Sequence, residues 1–197
     1  MQKKLNNIGF SEMPRTKQRT DAHCGPAVLE MLYGYLDTRI SQNQIVKAAQ
    51  IKTRLKRYGM NISEMAKAIH KLTPGIMFWS KQNANEKDLD LLINTHKIPV
   101  GVEWQGIFGK YADKDNGHYG VITFIDLKQN LIQLADPFKA FVGIDRTFAL
   151  SAFIERWWDK NHLFHPDGKI TSVRDEHMMF ILTKKTSTFP QSLNMQP

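Results

Sequence analysis

Cysteine is nearly absent from this 197-residue sequence, where Cys24 is the only one. A single thiol excludes an intramolecular disulfide framework, a multi-cysteine zinc site and an iron–sulfur cluster held by the chain alone. Long apolar runs are missing too. No stretch reaches the roughly 18 consecutive apolar residues of a membrane span. The basic residues near the start are followed by neither an apolar segment of signal-peptide length nor a small-residue cleavage site. A cytoplasmic protein is therefore expected, with export through a dedicated secretion machine left open. Acidic residues are outnumbered, 19 Asp and Glu against 27 Lys and Arg, for a net charge of +8. That excess suits an acidic partner or surface but defines neither fold nor reaction. Internal repeats and low-complexity blocks are also lacking.

What is present is an ordinary globular composition, 42% hydrophobic and 23% charged, in a chain long enough to bury one substantial core. Residues 24–37 place Val28, Leu32 and Tyr35 near one helical face, and Pro26 stands close to the start, where a missing N–H is tolerated. Residues 41–51 open on Ser41 as N-cap and carry Ile45, Ala48 and Ala49 at helical spacing. Helices are likewise predicted over 61–72 and 85–95. The period then changes. Residues 98–104, 118–125 and 131–134 are rich in Val, Ile and aromatics and read as strands. A helix is expected over 149–158, and a last strand over 177–182. Helices grouped before strands predict an α+β fold. One domain is expected over 1–184, with a helical lobe at about 15–95 and an antiparallel sheet lobe at about 96–184. Residues 185–197, polar with two prolines, are expected to form a loose tail.

Cys24 lies where a polar loop meets a predicted helix. A helix N-terminus carries unpaired N–H groups and partial positive charge, which favour a thiolate over a thiol. The plain alternative is a small buried hydrophobe. The run Cys-Gly-Pro-Ala favours a presented cysteine, because Gly25 permits close backbone approach and Pro26 sets the helix start. A nucleophile needs a base, and the base needs an orienting group. His118 begins a strong strand, and the next strand ends in Leu-Ala-Asp-Pro with Asp136 as its last acid. A turn near 128–130 pairs the two as a hairpin and brings His118 beside Asp136. Asp126 is a poor rival: eight extended residues separate it from His118, or about 26 Å.

These residues resemble a known family. The segment Gln18-Arg-Thr-Asp-Ala-His-Cys24-Gly-Pro-Ala, then Gly117-His118-Tyr119, then Ala135-Asp136-Pro137 is similar to the bacteriocin-processing, double-glycine leader peptidases, which are papain-like cysteine peptidases. The resemblance spans about residues 15–183. It implies a papain-like fold, with Cys24 as nucleophile, His118 as general base and acid, Asp136 as orienter and Gln18 as oxyanion donor. No cofactor or metal is implied. The implied partner is a polypeptide substrate, which the net charge would suit if acidic. One departure is His23, where the family usually has an acidic residue directly before the cysteine.

Other features have plainer readings. His23 adjoins the cysteine, and adjacent side chains rarely converge on one atom. His162 and His165 are three apart, but Pro166 and Gly168 indicate a loop, and no third ligand presents itself. Phe153, Trp157 and Trp158 read as packing residues. The basic run over 52–57 reads as a solvated face, since nucleic-acid binding would require aligned cations and stacking aromatics. The loop over 105–117, with three glycines, reads as a candidate cleft rim. Two rival functions stay open. The same triad supports transpeptidation, acyl transfer or deamidation, and the scaffold alone would serve as a non-catalytic peptide-binding module. The oligomeric state is not legible.

Overall fold

The computed structural model describes residues 9–106 and 116–197. Most of the glycine-containing loop expected over 105–117 therefore lies outside the described residues. Helix α1 (Cys24–Tyr35) begins after His23, which makes no side-chain cap, and Pro26 falls in its first turn as expected. Helix α2 (Gln42–Ala49) carries the predicted Ser41 cap. The Ser41 side chain accepts the Gln44 N–H while the Gln44 side chain returns to the Ser41 N–H, so two orphan donors are satisfied at once. A turn of helix, α3 (Leu55–Tyr58), covers the basic run. Helix α4 (Ile62–Leu72) is capped by Asn61 and Glu64 in the same reciprocal way.

Strand β1 (Ile76–Lys81) follows, and then α5 (Glu86–Asp90), which continues through a π-helical turn over Leu91–Thr95. The remaining elements are β2 (Val100–Gln105), β3 (Gly117–Asp126), β4 (Leu131–Ala135), β5 (Arg146–Ala149), α6 (Leu150–Ile154), β6 (Trp158–Phe164), β7 (Ile170–Glu176), β8 (Met179–Lys184) and α7 (Phe189–Ser192). Strands β1, β8, β2, β3, β4 and β5 lie in that order in one sheet, and β6 pairs with β7 in a separate ribbon. Every pairing is antiparallel.

Successive side chains of a strand face opposite ways, and the core divides accordingly. Phe78, Tyr119, Val121, Phe180 and Leu182 face α1, α2 and α4, meeting Val28, Leu32, Ile45, Met65 and Ile69. Their neighbours Trp79, Ile122, Met179 and Ile181 face the other way, toward Leu89, Leu92, Phe153 and Trp157. The α+β expectation holds.

Three local expectations change. The helix predicted over 149–158 shrinks to α6, because Ala149 completes β5 and Trp158 already pairs with Glu176 in the ribbon. The last strand begins two residues later than predicted. The loose tail is instead docked: Gln196 exchanges both backbone hydrogen bonds with Ser80, at 2.7 and 2.8 Å, and Leu193 and Met195 join the second core cluster. Two apolar side chains two residues apart are enough to anchor it.

The segment before α1 is fastened to the far end of the sheet. Arg15 forms a two-pronged ion pair with Asp145, Nε to Oδ1 at 2.9 Å and Nη2 to Oδ2 at 2.8 Å, and donates further to the carbonyls of Gly9, Phe10 and Met13. Asp145 also accepts from Thr123, at the bulge in β3. Breaking a buried ion pair by removing one member costs roughly 3–5 kcal/mol. Arg15→Met is therefore expected to lower stability by that order, read as a drop in the midpoint of urea unfolding.

Candidate active site

Cys24 is the first residue of α1, and the helix end is packed closely where it must meet the sheet. A Cβ on Gly25 would lie 2.8 Å from Met65 Cε and 3.4 Å from Tyr119 Cδ2, so glycine permits this approach. The first turn of α1 holds no acidic side chain and receives no side-chain cap, so its N-terminal partial charge is left for the sulfur. His23 turns away and shares a 2.6 Å hydrogen bond with Thr20.

The predicted hairpin forms. Val121 pairs with Ala135 and Asp126 with Leu131. Asp126 closes the turn by accepting the N–H groups of Lys128 and Gln129, an Asx turn of the ordinary kind. At the open end, His118 Nε2 lies 2.7 Å from Asp136 Oδ1. The same imidazole interacts with the Cys24 side chain, which favours the protonated ring.

Burial alone would lower the His118 pKa. The hydrogen bonds and negative charge of Asp136 and Cys24 outweigh burial and push it up to about 10. At neutral pH the ring is thus an imidazolium. Burial would raise the Asp136 carboxyl, but His118, the Phe138 N–H and Arg146 together hold it below the usual carboxylate range.

Gln18 is buried beside them. Its backbone N–H donates to the Pro137 carbonyl at 2.9 Å, which ties its loop to the residue after Asp136. Its amide Nε2 donates to the Thr20 carbonyl at 2.9 Å, and one further N–H remains on that nitrogen. Gln18, His118 and Asp136 line a cavity of about 550 Å³ together with Phe138, Phe141 and Arg146. The structure therefore brings Gln18, His118 and Asp136 to one cleft, while Cys24 interacts with His118 without lining the cavity.

A family comparison bears on this cleft. The model of the Peptidase_C39 like family matches residues 10–162. The chain belongs to that family. Among solved structures, this C39-like chain is similar to the peptidase domain of Streptococcus ComA, a bi-functional ABC transporter involved in a quorum sensing pathway. The TM-score is 0.57 at 17% identity, over 86% of this chain and 97% of that one. It is also similar to a double glycine motif protease from an AMS/PCAT transporter, solved in complex with the leader peptide. There the TM-score is 0.56 at 16% identity, over 91% and 97%. At such identities the likeness shows the fold, which is that of C39 peptidase domains. A search of curated proteins finds no match.

The C39-like site holds groups that sequence reasoning missed. Arg146 on β5 donates to Asp136 Oδ2 at 2.6 Å and to the Gly106 carbonyl at 3.2 Å. Its guanidinium carbon lies 4.1 Å from the Phe141 ring centroid, 4.8 Å from that of Phe148 and 5.1 Å from that of Trp104. Each Asp136 oxygen thus serves one cation. No periodicity marked Arg146, which stands in a short, half-exposed strand.

Glu103 is the other omission. It is fully buried next to Tyr119, which donates to it, and Asn161 donates to the same oxygen at 2.9 Å. Burial, aided by the charge of Asp159, pushes its carboxyl up to about 8, so it is neutral at pH 7. It braces Tyr119, whose ring lies against the start of α1.

His162 and His165 have separate contacts. The first packs against Tyr58 and the second shares a 2.8 Å hydrogen bond with Thr171. Among the described residues no group of three or more His, Cys, Asp or Glu is placed to hold a metal ion. The basic run is partly engaged, since Arg54 pairs with Glu64 and lies over Phe164, while Lys52, Lys56 and Arg57 face solvent. No helix among the described residues is long and apolar enough to cross a membrane.

Proposed function

We propose that the chain is a cysteine peptidase that hydrolyses peptide bonds of a polypeptide substrate through Cys24, His118 and Asp136. The observation that carries this reading is the 2.7 Å hydrogen bond between the His118 imidazole and Asp136, with Cys24 interacting with the same ring. The neighbour solved with a leader peptide supports a polypeptide as the substrate.

The steps follow from the proton positions. With the proton already held on His118, the Cys24 sulfur attacks the scissile carbonyl to form a C–S bond. Negative charge moves to the carbonyl oxygen. The free N–H of the Gln18 amide and the Cys24 backbone N–H receive it. The tetrahedral adduct collapses as the C–N bond breaks, and His118 delivers its proton to the departing amine. A thioester remains. His118, now neutral, takes a proton from water as the oxygen attacks the thioester carbonyl, and the second adduct collapses with C–S cleavage, releasing the acid product and restoring the thiolate beside the protonated ring. Asp136 keeps the ring oriented throughout and stabilises its positive form.

Gln18 has a separable role, because it meets charge that exists only after attack. Losing one such donor costs about 2.7–4 kcal/mol of barrier. Gln18→Ala is expected to lower kcat by about 10²–10³-fold with KM little changed, since the ground-state carbonyl gains less from the donor. The test of the whole reading is digestion of a peptide library by the wild type, with products weighed by mass spectrometry. Each cut is expected to add one water across an amide. Ligated or deamidated products would assign the thioester to an acceptor other than water, and no product dependent on Cys24 would leave only a binding module.

A further inference from the structure

We infer that the cavity beyond His118 receives the leaving-amine half of the substrate, and that Phe138 and Phe141 select an apolar side chain in the residues just after the scissile bond. This rests on the proposed peptidase reaction and assigns the specificity of one side of its cleft.

In the acyl half of the reaction the substrate carbonyl is bound to sulfur, so that half of the chain stays with Cys24. The departing nitrogen must take its proton from the imidazole, so the other half has to pass along the ring. The cavity opens there. Its walls include Gln18, Asp21, His118 and Asp136, with Phe138, Phe141 and Arg146 from the segment after Asp136. Its volume of about 550 Å³ lies within the roughly 300–1,000 Å³ of ordinary ligand pockets.

The chemistry of the far wall is apolar. Phe138 and Phe141 sit with ring centroids 6.2 Å apart. The same loop continues through Val142 and Ile144, which are 37% and 57% exposed and rank among the exposed large hydrophobic residues. Arg146 does not make the wall cationic, because Asp136 neutralises it and the Phe141 and Phe148 rings cover its guanidinium. One loop therefore carries both the catalytic acid and the selecting wall. The Phe138 N–H donates to Asp136 Oδ1 at 2.9 Å, so the wall begins two residues from that carboxylate.

The test uses the full chain as wild type, Phe138→Ala and Phe141→Ala, each checked for a cooperative thermal transition. Cut sites are first mapped in a proteome-derived peptide library. A cleaved peptide is then remade as a pair that differs only in the residue after the cut, Leu in one and Asp in the other. The wild type is expected to favour Leu in kcat/KM by about 10-fold or more, on the scale of apolar pocket discrimination. Phe141→Ala is expected to bring the ratio close to one, and Phe138→Ala to reduce it. Equal cutting of the pair, a preference for Asp, or a ratio unchanged in both variants overturns the assignment while the peptidase reading stands. A library left uncut, or cut equally by Cys24→Ala, removes the peptidase reading and this inference with it.

Discussion

Cys24→Ala is expected to abolish peptide hydrolysis, with a loss in kcat on the order of 10⁶-fold, the scale seen when the nucleophile of a catalytic triad is removed. Both bond-making steps pass through this sulfur. Without it no thioester forms, and the oxyanion donors and the binding cleft supply only the residual rate. The substitution is small in volume. Cys24 is nearly buried in the first core cluster, so alanine removes one sulfur atom and the fold should persist with a loss of about 1 kcal/mol or less. Cys24→Ser is expected to be almost as inactive, because an alkoxide is far harder to form beside an imidazolium than a thiolate is. Because the sequence holds one cysteine, iodoacetamide reports on this site alone. His118→Ala should slow alkylation markedly by removing the cation beside the sulfur. A variant lacking the thiol that still cleaves at the wild-type rate would end the assignment.

How much of this was legible in the sequence depends on burial. The first long helices were readable because one face of each is buried and the other wet, which writes the 3.6 period into the residues. The β3–β4 hairpin was readable for the corresponding reason at period two, and its geometry alone placed His118 against Asp136. Strand β1 was missed. It is a six-residue strand whose adjacent residues Phe78 and Trp79 are both buried, on opposite faces, and such strands lose their alternation. The β6–β7 ribbon was missed for the opposite reason. Half-exposed on both faces, it reads Trp-Asp-Lys-Asn-His-Leu-Phe and shows no apolar stripe. Of its turn residues, Pro166 and Gly168 indicate only a loop around two histidines. The docked tail was misread because two prolines and polar residues dominate its composition, while Leu193 and Met195 do the anchoring. Arg146 was invisible because an arginine in a short strand looks like surface. Only the fold shows that Asp136 and a group of aromatic rings enclose it.

That enclosure sets the second large effect. Asp136→Ala is expected to lower kcat by on the order of 10³–10⁴-fold, the range for losing the orienting acid of a triad. Three consequences separate this loss from simple misfolding. First, His118 loses one of the two partners that push its pKa up to about 10. The alkaline limb of the activity profile, which reports loss of the imidazolium proton, should therefore move from near pH 10 toward neutrality. Second, stability should change in a pH-dependent way. A histidine with a raised folded pKa stabilises fully below its unfolded value of about 6.5 and loses that contribution as pH rises through the folded value. Asp136 itself has a depressed folded pKa, so its contribution is present above about 4 and lost as pH falls through the folded value. Between these limits the wild type holds both contributions, so the stability gap to Asp136→Ala should be widest near pH 5–6 and narrow on either side. Third, Arg146 would keep its ring contacts and the Gly106 carbonyl but lose its carboxylate. With the Arg146 side chain 14% exposed, breaking this pair should cost roughly 3 kcal/mol, the lower end for a broken buried pair. Asp136→Asn discriminates further. It retains an acceptor for His118 but presents a neutral amide to Arg146, so it should recover part of the rate at neutral pH without restoring the alkaline limb. Identical alkaline limbs in wild type and Asp136→Ala would show that Asp136 does not act through His118.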